Sequence, residues 1–216
     1  PIILVLNVGR PRLISEIEPF MSAVLNIYLP GNLGADALVD IINGKVNPSG
    51  KLPYTYPAFP NSLTTYYYKP SEVQNNSQGA YNYVGKLNNL YEFGYGLSYT
   101  NFEYKDITIE DDSIGADDSL NISLTVYNSG DVDGQEVVQV YVSDLFASIT
   151  PDNKRLRAFD KVFIKSGENK KVSFTIPVKD FSFVNLENKY VLESGDFTVH
   201  VGGNSKELTS LNFFVR

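Results

Sequence analysis

The sequence predicts an α/β segment followed by an all-β sandwich. Residues 2–6 are continuously apolar, which is typical of a strand in a parallel sheet. From Phe102 onward apolar residues recur at every second position, which indicates antiparallel strands with one buried face. We therefore expect an α/β remnant over residues 1–57, an interdomain connection over residues 58–101 and a β-sandwich over residues 102–216.

The α/β remnant is predicted to alternate strand and helix. Residues 2–8 form a strand expected to be buried on both faces, and Ser15-Glu16-Ile17-Glu18 fits a capping box that starts a short helix. Residues 23–29 predict a second strand, and residues 35–42 a second helix. This order implies parallel pairing with helices on the faces. Because a strand buried on both faces needs neighbours, we expect the chain to be a fragment of a longer protein.

The connection is rich in Tyr, Gly, Pro and Asn. It and its borders, from Tyr54 to Tyr104, hold 14 of the chain's 28 aromatic residues, too many for a flexible linker. The tyrosine rings could stack on sugar faces, but packing of the connection against its two neighbours is the favoured interpretation. These tyrosines are Tyr66, Tyr67, Tyr68, Tyr81, Tyr83, Tyr91, Tyr95 and Tyr99.

The β part contains four clear alternating runs, at residues 120–126, 138–142, 172–176 and 197–201. Turn signals built from Asn, Asp, Ser and Gly separate these runs. Several short alternating strands with such spacing predict a sandwich of the immunoglobulin or fibronectin type III kind.

Composition excludes several classes of function. A formal net charge of −7 gives no electrostatic footprint for nucleic acid, and no apolar stretch approaches the ~20 residues needed for a membrane span. Without cysteine there is no thiolate site, and a single histidine, His200, cannot build a multi-histidine metal site. His200 falls on the polar face of its predicted strand, so we expect it to be exposed at the surface or between domains. We assign no cofactor and no metal.

None of the 25 acidic residues stands in a context that marks it as catalytic. Glu92 lies between Tyr91 and Phe93 and could have a raised pKa if buried, but a structural hydrogen bond to the adjacent Gly-rich turn is favoured. Four others lie on predicted helices and are interpreted as solvated: Glu16, Glu18, Asp36 and Asp40.

Three loops resemble parts of ligand sites without completing them. Asp131-Val132-Asp133-Gly134 with Glu136 lacks ligands of a calcium loop, so a hairpin turn is favoured. Glu110-Asp111-Asp112 with Asp117-Asp118 could hold a cation, and a solvated loop explains it equally well. Gly31-Asn32-Leu33-Gly34 precedes a predicted helix but lacks phosphate-loop spacing, so it is interpreted as a turn.

A series of longer motifs covers nearly the whole chain. The motifs are Gly9-Arg10-Pro11, residues 28–37 (YLPGNLGADA), 44–57 (GKVNPSGKLPYTYP), 93–102 (FGYGLSYTNF), 136–144 (EVVQVYVSD), 157–162 (RAFDKV) and 193–197 (ESGDF). In this order they resemble the C-terminal part of glycoside hydrolase family 3, of the β-glucosidase type. The resemblance identifies the end of an α/β sandwich domain followed by a fibronectin type III-like domain.

The resemblance implies a retaining β-glucosidase that hydrolyses O-glycosyl bonds at non-reducing ends. Its nucleophile Asp and acid/base Glu are expected upstream of Pro1, so no residue here is assigned a catalytic, cofactor-binding or metal-binding role. The implied partners are β-linked oligosaccharides or glycosides, bound through the parent enzyme, and the missing N-terminal barrel and sandwich domains. We expect the isolated chain to be inactive structural support.

Two alternatives stay open in the sequence. Residues 56–72 look more like β-glucosidases than β-xylosidases, but a β-xylosidase parent is retained as an alternative. The β part, with the tyrosine-rich connection, could instead be a carbohydrate-binding or docking module. The location of the protein is not decided by the sequence; the periplasm or the outside of the cell would suit a saccharide-degrading enzyme.

Overall fold

The computed structural model describes residues 1–62, 65–70 and 89–216. Strands β1 (Ile3–Leu6) and β2 (Ala23–Asn26) pair in parallel, and helix α1 (Gly34–Ile42) comes after them. These elements occur in the predicted order, with shorter strands. The first strand is expected to be buried by neighbours outside this chain, and within the chain it is only partly covered. Ile2 and Ile3 are 58% and 45% exposed, because β2 is the one strand of the described residues that pairs with β1.

The capping box predicted at Ser15 is wrong. The Ser15 hydroxyl donates a hydrogen bond to the Ala58 carbonyl instead of capping a helix. Residues 15–20 form a turn and a single 3-10 helix, Glu18–Phe20, which has Pro19 in its first turn. The contact with Ala58, 43 residues away along the chain, lies outside the reach of a local pattern.

The connection is anchored to the first part by a short antiparallel pair, β3 (Tyr56–Pro57) and β4 (Asn89–Tyr91). Tyr56 joins Leu6 and Ile14 in a small buried cluster. This cluster is the larger part of what residues 1–57 bury, since α1 exposes most of its surface.

Residues 102–216 form a β-sandwich. Its strands are β5 (Phe102–Ile109), β6 (Ser113–Ile114), β7 (Ser119–Asn128), β8 (Gly134–Asp144), β9 (Arg155–Ile164), β10 (Asn169–Pro177), β11 (Phe183–Val184), β12 (Tyr190–Val191), β13 (Gly195–Gly202) and β14 (Leu208–Val215). One sheet has the antiparallel order β10-β7-β5, and the facing sheet has the order β6-β14-β13-β8-β9, in which only the edge pair β6 and β14 is parallel. Strands β11 and β12 form a separate small antiparallel pair.

The sandwich core comes from the alternation seen in the sequence. Along β7 every second residue is buried, with Leu120, Ile122, Leu124 and Val126 at most 2% exposed. Facing side chains from β8, β10 and β13 complete one continuous apolar cluster. Strands β7, β8, β10 and β13 therefore lie at the four alternating runs of the sequence, as predicted.

Strand β8 differs from β7 because both of its faces are buried. Val138, Val140 and Val142 face the core, while Gln139 and Tyr141 on the opposite face are at most 3% exposed. Tyr66, Phe93 and Gly94 of the connection contact this second face of β8.

Candidate functional site

A buried ion pair joins the first part of the chain to the sandwich. The Lys51 ammonium lies 3.2 Å from the Glu136 carboxylate, with 15% and 4% of the two side chains exposed. The Tyr104 hydroxyl donates to Glu136 Oε1 at 2.9 Å, and Lys51 Nζ also donates to the Gly96 carbonyl. Burial and the Glu136 charge raise the pKa of Tyr104, which keeps its phenol protonated as a donor.

This pair was missed in the sequence, although one signal pointed to it. Glu136 is in phase with Val138, Val140 and Val142, so the alternation places a charge on the core-facing side of β8. A buried carboxylate needs a cation or donors. Its cation, Lys51, is 85 positions away, and the pattern does not identify it.

A second junction contact involves Gln139. Its amide nitrogen donates to the carbonyls of Gly94 and Gly203, at 3.2 and 2.6 Å, and its oxygen accepts from the Tyr141 hydroxyl. Gly94 has φ +78°, and a Cβ there would clash with Gln139 Oε1. Glycine at this position of the FGYG motif therefore allows both the positive φ and the close approach of the Gln139 side chain.

The described tyrosines of the connection pack mainly against other rings and polar groups. Tyr66 stacks on Phe93 with centroids 4.3 Å apart and meets Tyr141 edge-on at 5.6 Å. Tyr91 stacks on Tyr95 at 5.2 Å. For Tyr66, Tyr91 and Tyr95, these contacts support packing of the connection rather than stacking on a sugar.

Other tyrosines of the set have different surroundings. The Arg155 guanidinium lies over the Tyr67 ring, 4.0 Å from its centroid, and Tyr68 accepts a backbone bond from Asn153. The Tyr99 hydroxyl donates to the Ile41 carbonyl at 2.8 Å while 47% of the residue is exposed. Tyr81 and Tyr83 lie outside the described residues.

The acidic candidates are scattered and make structural contacts. The Glu92 carboxylate lies 3.5 Å from Lys206 Nζ, and the turn contact is made by its backbone carbonyl, which accepts from Tyr95 N. Glu18 accepts the Tyr91 hydroxyl bond at 2.8 Å. Asp40 pairs with Lys45 at 2.9 Å, and Glu16 and Asp36 are exposed.

The three loops act as turns. Asp133 accepts the Ser166 amide at 2.9 Å and, through its carbonyl, the Asn47 amide at 3.0 Å. Asp118 accepts the Gly115 amide, and Gly34 N donates to the Gly31 carbonyl. Over residues 1–62, 65–70 and 89–216, no group of three or more His, Asp or Glu side chains is placed to hold a metal ion.

The expected surface or interdomain exposure of His200 is met only in part, because the residue is half-buried. Ser143 donates its one hydroxyl proton to the Asn153 carbonyl at 2.6 Å, so at 2.8 Å it accepts from His200 Nε2. His200 Nδ1 then accepts from the Ser210 hydroxyl at 2.7 Å. Burial, with a smaller contribution from Lys154, lowers the His200 pKa to about 4. In this arrangement the imidazole donates to Ser143, so it is not placed as a base for the Ser143 hydroxyl.

Beside His200 lies a cleft of about 690 Å³, formed by the loop between β8 and β9 at residues 144–154 together with Pro70 and Ser143. The cleft borders the half-buried Lys154 and the exposed ring of Phe146. Its size falls in the range of about 300–1,000 Å³ typical of small-molecule sites.

Comparison with protein families matches two separate stretches. Residues 1–99 match the model of the glycosyl hydrolase family 3 C-terminal domain, and residues 136–205 match that of the fibronectin type III-like domain. Within the described residues, no helix is long and apolar enough to cross a membrane.

Relatives and solved structures agree with these matches. The chain is 34% identical to the periplasmic beta-glucosidase of Salmonella typhimurium and 37% identical to a putative beta-xylosidase of Formosa agariphila, each over 99% of its length. It superposes on the beta-glucosidase of Listeria innocua in complex with glucose with a TM-score of 0.91, 32% identity and full coverage. It spans 28–31% of the length of these proteins. The chain belongs to glycosyl hydrolase family 3, whose C-terminal region it matches.

Proposed function

We propose that this chain is the C-terminal region of a retaining β-glucosidase and serves it as structural support. The observation that carries the proposal is a set of exposed apolar side chains in the first 46 residues. They are Ile2, Ile3, Leu13, Ile17, Phe20, Tyr28, Leu29, Leu33, Val39, Ile42 and Val46, each 38% exposed or more.

Such a density of exposed apolar side chains is typical of a surface that other protein covers. Covering it would contribute roughly 25 cal/mol for each Å² of apolar area removed from water. We infer that the barrel and the rest of the α/β sandwich of the same enzyme cover it. On this proposal residues 1–57 complete the α/β sandwich, residues 58–101 connect it, and residues 102–216 brace it.

The catalytic pair belongs, in this proposal, to the segment that precedes Pro1. Retaining hydrolysis needs two carboxyl groups about 5–5.5 Å apart, one a nucleophile and the other an acid/base. The most buried carboxylate of the sandwich, Glu136, is held by Lys51 and Tyr104, so it is unavailable for either role. The substrates of the parent are accordingly β-linked glucosides bound outside this chain.

A β-xylosidase parent is the second candidate. The 37% identity to the putative beta-xylosidase of Formosa agariphila favours it as much as the 34% identity to the Salmonella enzyme favours a β-glucosidase. Relative rates of the full-length gene product on aryl β-glucoside and aryl β-xyloside separate the two.

A chimera tests the supporting role. This chain replaces the matching C-terminal region of the Salmonella beta-glucosidase, and hydrolysis of an aryl β-glucoside is measured. We expect turnover by the chimera and none by the 216-residue chain alone or by the Salmonella protein truncated at the same point. Turnover by the isolated chain would contradict the proposal that the catalytic pair lies outside this chain. A folded, monodisperse but inactive chimera would count against the bracing role.

A further inference from the structure

The cleft beside His200 has hydrogen-bonding capacity that the fold leaves unused. Lys154 lines it, and its ammonium makes no hydrogen bond or ion pair within the described residues. Burial lowers the pKa of this amine, and the opposing charge of Glu92 acts without a direct ion pair, so the ammonium is partly removed from water with no hydrogen-bond acceptor in the described part of the chain. The three N–H groups of the Lys154 ammonium therefore favour a ligand rich in hydrogen-bond acceptors.

Acceptor capacity lies on the same wall. One oxygen of the half-buried Asp144 carboxylate accepts the Phe146 amide at 3.2 Å, which leaves its second oxygen for a ligand. Ser148 uses its backbone amide on Glu193 at 2.7 Å, and its hydroxyl remains available at the lining of the cleft. A cation and an anion together favour a neutral ligand that both donates and accepts, not a phosphate or a carboxylate.

The apolar side of the cleft is aromatic and open. Phe146 is 77% exposed at its rim, and Ile149, Pro151 and Pro70 contribute further apolar surface. An exposed ring beside paired donors and acceptors suits a pyranose, which presents apolar C–H groups on its face and hydroxyls at its edge.

We propose that this cleft is a saccharide-binding site on the sandwich, in which a pyranose unit lies against Phe146 and its hydroxyls bond to Lys154 and Asp144. This site goes beyond the supporting role and does not depend on it. It would let the sandwich hold part of a glycan without taking part in hydrolysis.

The test uses the full 216-residue chain and its single histidine, whose ring signal in NMR needs no assignment. Cellobiose and cellotetraose are titrated to millimolar concentration while the His200 C–H resonances are followed. We expect a saturable shift, because His200 lines the cleft. Phe146→Ala should weaken binding about 2- to 10-fold, as expected for loss of a ring contact.

Phe159→Ala is the matched control, because Phe159 is also largely exposed, at 67%, and is not part of the cleft. It should bind as the parent chain does. Lys154→Met keeps the length of the side chain and should also weaken binding. The proposal is overturned by the absence of a His200 shift, by an unsaturable shift that glycerol reproduces, or by equal losses in Phe146→Ala and Phe159→Ala.

Discussion

The two ends of this chain use apolar residues in opposite ways. In the sandwich, strands β7, β8, β10 and β13 turn alternate apolar side chains into one closed core. In residues 1–57 only Leu6, Ile14 and Tyr56 form a buried apolar cluster, while side chains such as Leu29 and Leu33 are each 75% exposed. Both ends have strands, but only the sandwich has enough of them to cover its own apolar face.

Closure of an apolar core therefore depends more on the number of neighbouring strands and helices than on the hydrophobicity of the sequence. A two-stranded parallel sheet with one helix cannot bury both faces, whereas two facing sheets can. The junction at Lys51 and Glu136 then attaches the open part to the closed one. The stability of the chain should accordingly come mainly from the sandwich.

The largest expected effect is at the sandwich core. Leu124→Ala should reduce the free energy of unfolding by about 2–5 kcal/mol, because Leu124 is 1% exposed and its loss leaves a cavity. Urea denaturation monitored by circular dichroism measures it. The matched variant Val39→Ala, at a residue 51% exposed, should stay within about 0.5 kcal/mol. Equal losses in the free energy of unfolding for the two variants would contradict the proposed difference between the regions.

The next effect is at the junction. Glu136→Gln leaves the Lys51 ammonium without its carboxylate and should cost about 2–3 kcal/mol, less than a fully buried pair because Lys51 keeps some solvent contact. Lys51→Met and the double variant complete a double-mutant cycle in urea. Additive costs would mean that the two residues do not interact, and the junction would then rest on other contacts.

At neutral pH the smallest effect is that of His200, because it develops only as the pH falls below 6.5. His200 has a folded pKa of about 4 against an ordinary value of 6.5, so between these values the unfolded chain binds a proton that the folded chain does not. The contribution of His200 should therefore lower the free energy of unfolding as pH falls from 6.5 to about 4, and leave it unchanged above 6.5.

An NMR titration of the single histidine measures its pKa directly. Lys154→Met should raise the pKa of His200 by removing a nearby positive charge, yet leave it below 6.5 because burial is the larger cause. A His200 pKa at or above 6.5 in the parent chain would contradict the burial of its ring. The His200→Gln variant should lose this part of the pH dependence in urea denaturation.

Local sequence patterns predicted the strands of the sandwich well, but they predicted the contacts of the junction and of His200 poorly. Alternation located the strands around Leu124, Val140 and Val199, since period two results directly from strand geometry. The apolar run of β1 indicated that the strand needs neighbours, but it did not identify the segments that would cover it. Alternation also missed the pairing of Lys51 with Glu136 and the half-burial of His200, which depend on residues distant in the chain.

Hydrogen exchange of backbone amides in the isolated chain tests the central contrast most directly. Amides of β7 and β8 should exchange only through global unfolding, while those of β1 and β2 should exchange through local opening at a much smaller free energy. The difference in opening free energy between these two pairs of strands should become smaller when the chain is part of its longer parent. Equal protection of both regions in the isolated chain would contradict the claim that residues 1–57 depend on other protein to complete their core.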